Sequence, residues 1–294
     1  MNRQDYLNQF CKIYANGVPS QGSVGDCAAA YIFAAFVQKS SDLALQDAAT
    51  GLIKSKSVQT GYLADAFQPL RRDRVREICR DESADPVVAY CFAMAWGGQW
   101  QASSYGSFVD SLSDIDLLRR NLVILRRLKT GAPGRRTPRM EAFDLFKSKS
   151  PIGGLGISYF TKLLYFFLPK DIPAYVLDNW TAKSVSKLAE HADMPIQDWI
   201  DKYSKTSRWP GPKRMPLEIS TYGHFIGNIV NWKTSDHYEQ YCQFIEDLAG
   251  RLRWDGGAGD VELALFGSKE EGSAGKIWRN LVEPPKKSMK TNQG

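Results

Sequence analysis

Asp178 stands at the head of a helical pattern, at the end of Lys170-Asp-Ile-Pro-Ala-Tyr-Val-Leu-Asp-Asn-Trp180. A carboxylate at a helix start is favoured as an anion by the exposed N–H groups there. It can serve as a plain N-cap, or face a site where positive charge develops during a reaction. What precedes it bears on that choice. The run Pro151-Ile-Gly-Gly-Leu-Gly-Ile157 reads as a tight hairpin that ends 22 positions earlier, at Gly156. Gly154 and Gly156 allow φ > 0 and carry no side chain, so the backbone can come close to a phosphate. The free N–H groups opening the next helix would then point at that anion. Leu155 would plug the hairpin's own small core. The pair lacks the third glycine of a dinucleotide loop and the Lys-Ser/Thr of a P-loop.

The elements on either side complete a pattern. Met140 to Lys147 reads as a short amphipathic helix, and Ser158 to Phe167 as a second one stopped by Pro169. Helix, Gly-Leu-Gly hairpin and helix together resemble a helix-hairpin-helix DNA-binding motif. With the proline, the short apolar run and Asp178 added, some 50 residues resemble the helix-hairpin-helix DNA glycosylase superfamily, and within it the 8-oxoguanine glycosylase branch. That resemblance implies a mostly α, two-lobed helical bundle with the active-site cleft between the lobes. It implies a double-stranded DNA substrate from which a base is flipped out. The catalytic residue would be Asp178, whose carboxylate would stabilise the charge that grows on the sugar as the base leaves, and orient the attacking water.

In relatives that also nick the strand, a lysine sits two residues past the hairpin's second glycine. Here that residue is Ser158, and a hydroxyl cannot form a Schiff base with the sugar. Lys162, one turn further along the same helix, is the only substitute nearby, and contact with a phosphate or with solvent is the expected role for it. The expectation is a monofunctional glycosylase leaving an abasic site. The match looks closest to a bacterial group of this fold, some of whose members resemble phage-defence enzymes removing glucosylated hydroxymethylcytosine. An oxidised purine is the alternative substrate. A non-catalytic DNA-binding module, or a lyase acting through Lys162, are the alternative functions.

Two further groups of residues could serve such a site. Trp96-Gly-Gly-Gln-Trp100 offers flat and polar side chains for a base pocket through Trp96, Gln99 and Trp100, although Trp96 and Trp100 at i, i+4 fit a core face equally well. Asn179 and Trp180 would line it by adjacency to Asp178. Basic residues cluster at Arg71, Arg72, Arg74, Arg76 and Arg80, and again at Arg119, Arg120, Arg126, Arg127 and Lys129, followed by Arg135, Arg136 and Arg139. DNA is a dense polyanion that such clusters attract without reading sequence. The second cluster, Arg135 and Arg136 included, is the one expected at the backbone, beside Gly154, Leu155, Gly156, Ser158 and Lys162.

The rest of the chain must hold these residues in place. Its 294 residues fit one large or two modest domains. The expected divisions are a helical region over 1–137, a catalytic region over 138–282 and a basic tail without apolar spacing over 283–294. Stripes such as Tyr6, Phe10, Ile13 and Tyr14, or Leu112, Ile115, Leu118, Leu122 and Leu125, are helical in period, as is Tyr238, Tyr241, Phe244, Ile245 and Leu248. Breaks fall at 129–138 and 208–216. Net charge is +6 and 43% of residues are hydrophobic, an ordinary globular composition. The start shows no apolar signal segment, and the longest apolar run falls short of the ~18 residues that span a bilayer. Five cysteines, never in a C-x-x-C pair, argue for reduced thiols and against an iron–sulfur cluster. His191, His224 and His237 have no ligand spacing. A cytoplasmic, nucleoid-associated monomer without metal or cofactor is expected.

Overall fold

A computed structural model of the chain describes residues 3–15, 70–98, 102–130, 136–189, 234–267 and 272–283. Among them are eleven α-helices and no strand. In chain order they are α1 (Arg3–Ile13), α2 (Arg72–Arg80), α3 (Pro86–Trp96), α4 (Ala102–Ser111), α5 (Ile115–Arg127), α6 (Pro138–Asp144), α7 (Ile157–Phe167), α8 (Asn179–Ala189), α9 (Ser235–Leu252), α10 (Gly257–Phe266) and α11 (Ala274–Val282). A π-turn over Leu145–Lys149 extends α6. The mostly α expectation holds. Gln99, Trp100, Arg135, His191, His224, the 208–216 break and the tail beyond residue 283 lie outside the described residues.

Two compact units emerge, neither continuous in sequence. One gathers residues 1–19, 178–231 and 244–294, and the other residues 20–177 and 232–243. The 137/138 boundary expected from composition lies inside the second unit.

In that second unit, α3 is the central element. Asp85 caps it by accepting from the N–H groups of Val87 (2.8 Å) and Val88 (3.0 Å), and Pro86 supplies the fixed φ of a first turn. Every residue from Val87 to Ala95 is buried, as a helix apolar on all sides must be. It packs against α2, α5 and α7. Arg126 of α5 closes the turn between α2 and α3: its Nε donates to Cys79 O and its Nη1 to Ala84 O, each at 2.7 Å. Burial lowers the pKa of this guanidinium.

The first unit is built on aromatic packing. Phe10 of α1 and Tyr14, just past its end, meet Trp254, and Phe10 also meets Trp278 edge-on at 4.9 Å. α8 is pinned within the unit by polar contacts: the Trp278 indole donates to Ser184 Oγ at 2.9 Å, and that hydroxyl donates to Leu265 O at 2.6 Å.

The residues that lead up to Asp178 form no regular element. From residue 173 to 177 the chain is, apart from Pro173, buried, so its peptide groups need partners from elsewhere. Side chains supply them. Arg139 Nη1 donates to Pro173 O (3.2 Å), and the Tyr238 hydroxyl donates to Tyr175 O (2.9 Å) while accepting from Tyr175 N–H (3.3 Å). Tyr241 donates to Val176 O (2.6 Å), and Thr161 Oγ1 accepts from Leu177 N–H (3.1 Å). Arg139 is itself fixed by Glu239, with Nε to Oε2 at 2.8 Å and Nη2 to Oε1 at 2.6 Å. Thr137 donates to the same carboxylate at 2.6 Å. Burial pushes the Glu239 pKa up, but the hydrogen bonds from Arg139 and Thr137 outweigh it and hold it below the usual value.

Removing one partner of a buried pair costs about 3–5 kcal/mol, and Glu239→Gln is expected to lose that much in urea unfolding at pH 7. A carboxyl whose folded pKa is depressed stabilises the fold above its unfolded pKa of about 4.3. That contribution disappears as the pH falls through the lower folded value, so the wild type should lose stability more steeply below pH ~4 than Glu239→Gln does.

Candidate active site

The hairpin belongs to the second unit and its two glycines do different work. Gly154 has φ +72°, and a Cβ there would lie 2.0 Å from Ser107 O, against the end of α4. Leu155 is buried in the turn, where its N–H donates to Ile152 O at 3.2 Å. Gly156 differs from expectation. Its φ is −69°, open to any residue, and a Cβ there would meet nothing within 4 Å. It is exposed and caps α7 without a side-chain hydrogen bond. Its carbonyl takes the N–H groups of Tyr159 (2.9 Å) and Phe160 (3.0 Å). The N–H groups of Ile157 and Ser158 have no partner among the described residues, so this helix start presents bare donors in an open place.

Lys162 is not where the sequence suggested. It is 9% exposed rather than reaching solvent. Its Nζ donates to Gly97 O at 3.3 Å and lies 5.0 Å from the Tyr159 ring centroid. It thereby anchors the start of the Gly-Gly segment that follows α3. Trp96, at the end of α3, packs edge-on against Phe166 at 5.1 Å and under the Arg72 guanidinium at 5.7 Å.

The second basic cluster is divided between the interior and the surface. Arg126 and Arg139 are buried on carbonyls and a carboxylate as described. Arg119 pairs with Asp85 at 3.3 Å, and Arg136 pairs with Asp144 and donates to Ser235 Oγ at 3.3 Å. Backbone carbonyls and the Glu239 carboxylate thus take Arg126 and Arg139 out of the cluster, while Arg120, Arg127, Lys129 and Arg136 are exposed.

Asp178 belongs to the first unit and is 8% exposed. Its Oδ1 accepts from Trp180 N–H (2.9 Å), from Thr181 N–H (3.0 Å) and from the Thr181 hydroxyl (3.2 Å). Thr181 Oγ1 in turn accepts the Asp178 N–H at 2.9 Å. This reciprocal cap begins α8 and fixes the carboxylate through one oxygen. Oδ2 has no hydrogen-bond partner among the described residues. Asn179 is the first residue of α8.

Trp180 is half-buried, with the Arg279 guanidinium 4.4 Å and the Lys183 ammonium 4.9 Å from its ring centroid. Arg279 is 4% exposed, with Nε donating to Phe266 O at 2.9 Å. Burial lowers its pKa, and the charge of Asp178 works in the opposite direction. Sequence reading had missed Arg279, Thr161, Thr181 and the two strap-holding tyrosines. Each is distant in sequence from what it holds or reads as ordinary helix, so only three-dimensional proximity reveals it. Among the described residues no three of His, Cys, Asp and Glu gather as metal ligands, and no helix is long and apolar enough to cross a membrane.

A sequence model of the family described as "Putative 8-oxoguanine DNA glycosylase OGG-like protein" matches residues 39–266. No curated protein and no solved structure matches the chain.

The two glycines separate by substitution. Gly154→Ala forces a side chain into a left-handed position and onto a backbone oxygen, and should cost about 2 kcal/mol or more in chemical denaturation. Gly156→Ala loses only some N-cap preference and should stay within about 1 kcal/mol.

Proposed function

The chain belongs to the 8-oxoguanine DNA glycosylase OGG-like family, and we propose that it is a monofunctional DNA glycosylase whose catalytic carboxylate is Asp178. The observation that carries this reading is the division of labour within that side chain. Oδ1 is immobilised by two backbone N–H groups and a hydroxyl, while Oδ2 has no hydrogen-bond partner among the described residues. An anion so oriented is suited to stabilise positive charge on a sugar.

In the proposed reaction a base is flipped from the duplex and its C1′–N bond breaks, the electron pair leaving with the base. The sugar ring becomes oxocarbenium-like, and Asp178 stabilises it from Oδ2. Water, oriented by the same carboxylate, adds to C1′ and gives up a proton that ends on the departed base, leaving a neutral free base and an abasic site. The N–H groups of Ile157 and Ser158 behind the exposed Gly156 would grip a backbone phosphate. Trp180 with Asn179, and Trp96, Gln99 and Trp100, remain our candidates for lining the pocket, with Arg135 and Arg136 beside the backbone. No lysine stands at position 158, and Lys162 is buried against Gly97 O, which supports base release without strand scission.

For substrate we propose a hypermodified cytosine, glucosylated hydroxymethylcytosine in phage DNA, removed in defence by a cytoplasmic, nucleoid-associated monomer. This rests on the resemblance to defence glycosylases. The family's description favours a second reading, repair of 8-oxoguanine.

Purified protein is incubated with unmodified bacterial DNA, glucosylated phage DNA and an 8-oxoguanine duplex, and released bases are followed by mass spectrometry. Release of the modified cytosine is expected, with loss of at least ~10³-fold in Asp178→Asn, comparable to deleting an electrostatic catalytic group. Asn caps helices as well as Asp does, so this variant should keep its melting temperature. Release of 8-oxoguanine alone moves the role to repair, and DNA binding without any release replaces the enzyme with a binding module. Borohydride should trap no protein on abasic DNA; a trapped adduct that Lys162→Met abolishes establishes a lyase.

A further inference from the structure

Among the described residues of the first unit, Arg279 is the one cation that is buried. It lies on α11, past residue 266 where the family match ends. The charge of Asp178 reaches it and opposes the effect of burial on its pKa. The guanidinium is nevertheless tied down apart from that acid. Its Nε donates to Phe266 O at 2.9 Å, and its carbon lies 4.4 Å from the Trp180 ring centroid and 4.8 Å from that of Phe266. Gly267 makes room for the side chain: at φ +64° a Cβ there would lie 3.2 Å from Arg279 Cγ and 2.8 Å from Gly275 O. Nη1 is buried with no hydrogen-bond partner among the described residues, and no ion pair joins Arg279 to Asp178. Trp180 connects the two residues. Its N–H donates to Asp178 Oδ1 at 2.9 Å, and its ring faces the guanidinium.

A buried guanidinium with an unused donor opposes the stability of the fold. A reason lies in what it does for its neighbour. Burial penalises a charged carboxylate, and an opposite charge nearby offsets that penalty. A bidentate pair would offset it more strongly but would occupy both oxygens. Asp178 has its counter-charge at a remove, so that Oδ1 is held by the helix cap and Oδ2 has no hydrogen-bond partner among the described residues.

We propose that Arg279 is the stand-off counter-charge of Asp178, a positioning residue that supports the anion while leaving Oδ2 to the sugar. In its reference to the sugar this rests on the glycosylase reading above. The other titratable groups near the acid sit on α8 itself and on α1, α10 and α11, which pack against it. Lys183 pairs with Glu283, and Lys187 lies 5.6 Å from the Tyr6 ring centroid. Tyr14, on which the charge of Arg279 also acts, donates to Ala264 O at 2.8 Å. Glu262 is buried on α10, Asp260 and Lys276 are half-buried, and Asp5, Cys11 and Lys12 of α1 are exposed. All of these stay in place when Arg279 alone is changed.

The test is carbon-13 NMR of aspartate-labelled protein titrated from pH 4 to 8, with D178N assigning the Asp178 carboxyl signal. R279Q is expected to move the midpoint of that signal up by about 1 unit or more, the scale on which a guanidinium acts on a carboxylate beside it. R279K keeps the charge and should keep more than about half of the difference. R279M removes the charge by a second route if R279Q melts early. Single-turnover base release is followed over the same pH range on one substrate, so titration of the base is common to all variants. In the acid limb R279Q should run ~10-fold further below its own plateau than wild type at the same pH. A packing role would lower the plateau and leave the limb where it was, and that result overturns the proposal. So does an unmoved NMR midpoint, or a signal that stays that of the anion throughout in R279Q and R279M. A limb in R279K that moves as far as in R279Q overturns it too. A moved midpoint without any release by wild type refutes the glycosylase and leaves the charge coupling standing; release with an unmoved midpoint refutes the counter-charge alone.

Discussion

Peptide groups that are buried outside any helix or sheet must find partners or be desolvated without compensation, and residues 173–177 are in that position. Four side chains from three helices meet the demand: Arg139 of α6, Thr161 of α7, and Tyr238 and Tyr241 of α9. Each is buried. Much of the polar chemistry inside this unit follows. Arg139 needs a counter-charge once buried, which Glu239 provides, and Glu239 in turn takes hydrogen bonds from Thr137 and Gln243. Burial raises the pKa of Tyr238, so the phenol stays protonated and can donate at neutral pH. The next residue after this strap is Asp178.

The same logic sorts the arginines. Where a guanidinium finds carbonyls or a carboxylate, as Arg126 and Arg139 do, it acts as a bracket between elements and its charge is answered locally. Arg72 and Arg76 instead stack on one aromatic ring, that of Tyr165. Counting basic residues along the chain cannot separate these cases, because both lie in runs of similar density.

That distinction marks how far the sequence could be read. Helical spacing located α5, α7 and α9 to within a few residues, since an apolar stripe is a local property. The hairpin and the helix opened by Asp178 were legible because Gly, Pro and an N-cap residue are local punctuation. Gly156 shows the limit: the positive φ expected of it is absent, and a Cβ there would meet nothing within 4 Å. Lys162 was read as reaching for solvent or a phosphate, yet Gly97 O, 65 residues away, holds it. The discontinuous units, the strap's partners and Arg279 are products of long-range closure, for which no residue pattern within a window exists.

The strap also imposes an order on the birth of the protein. Everything that shapes the hairpin, from Ser107 to Phe167, has been synthesised before the strap begins. The hydroxyls that settle residues 175 and 176 arrive with Tyr238 and Tyr241, about sixty residues after Asp178. At ~5–20 residues per second a nascent chain spends roughly 3–13 s with the hairpin synthesised and the peptide groups of residues 175 and 176 still without these partners. Translation thus completes the hairpin well before it supplies the hydroxyls that hold the strap.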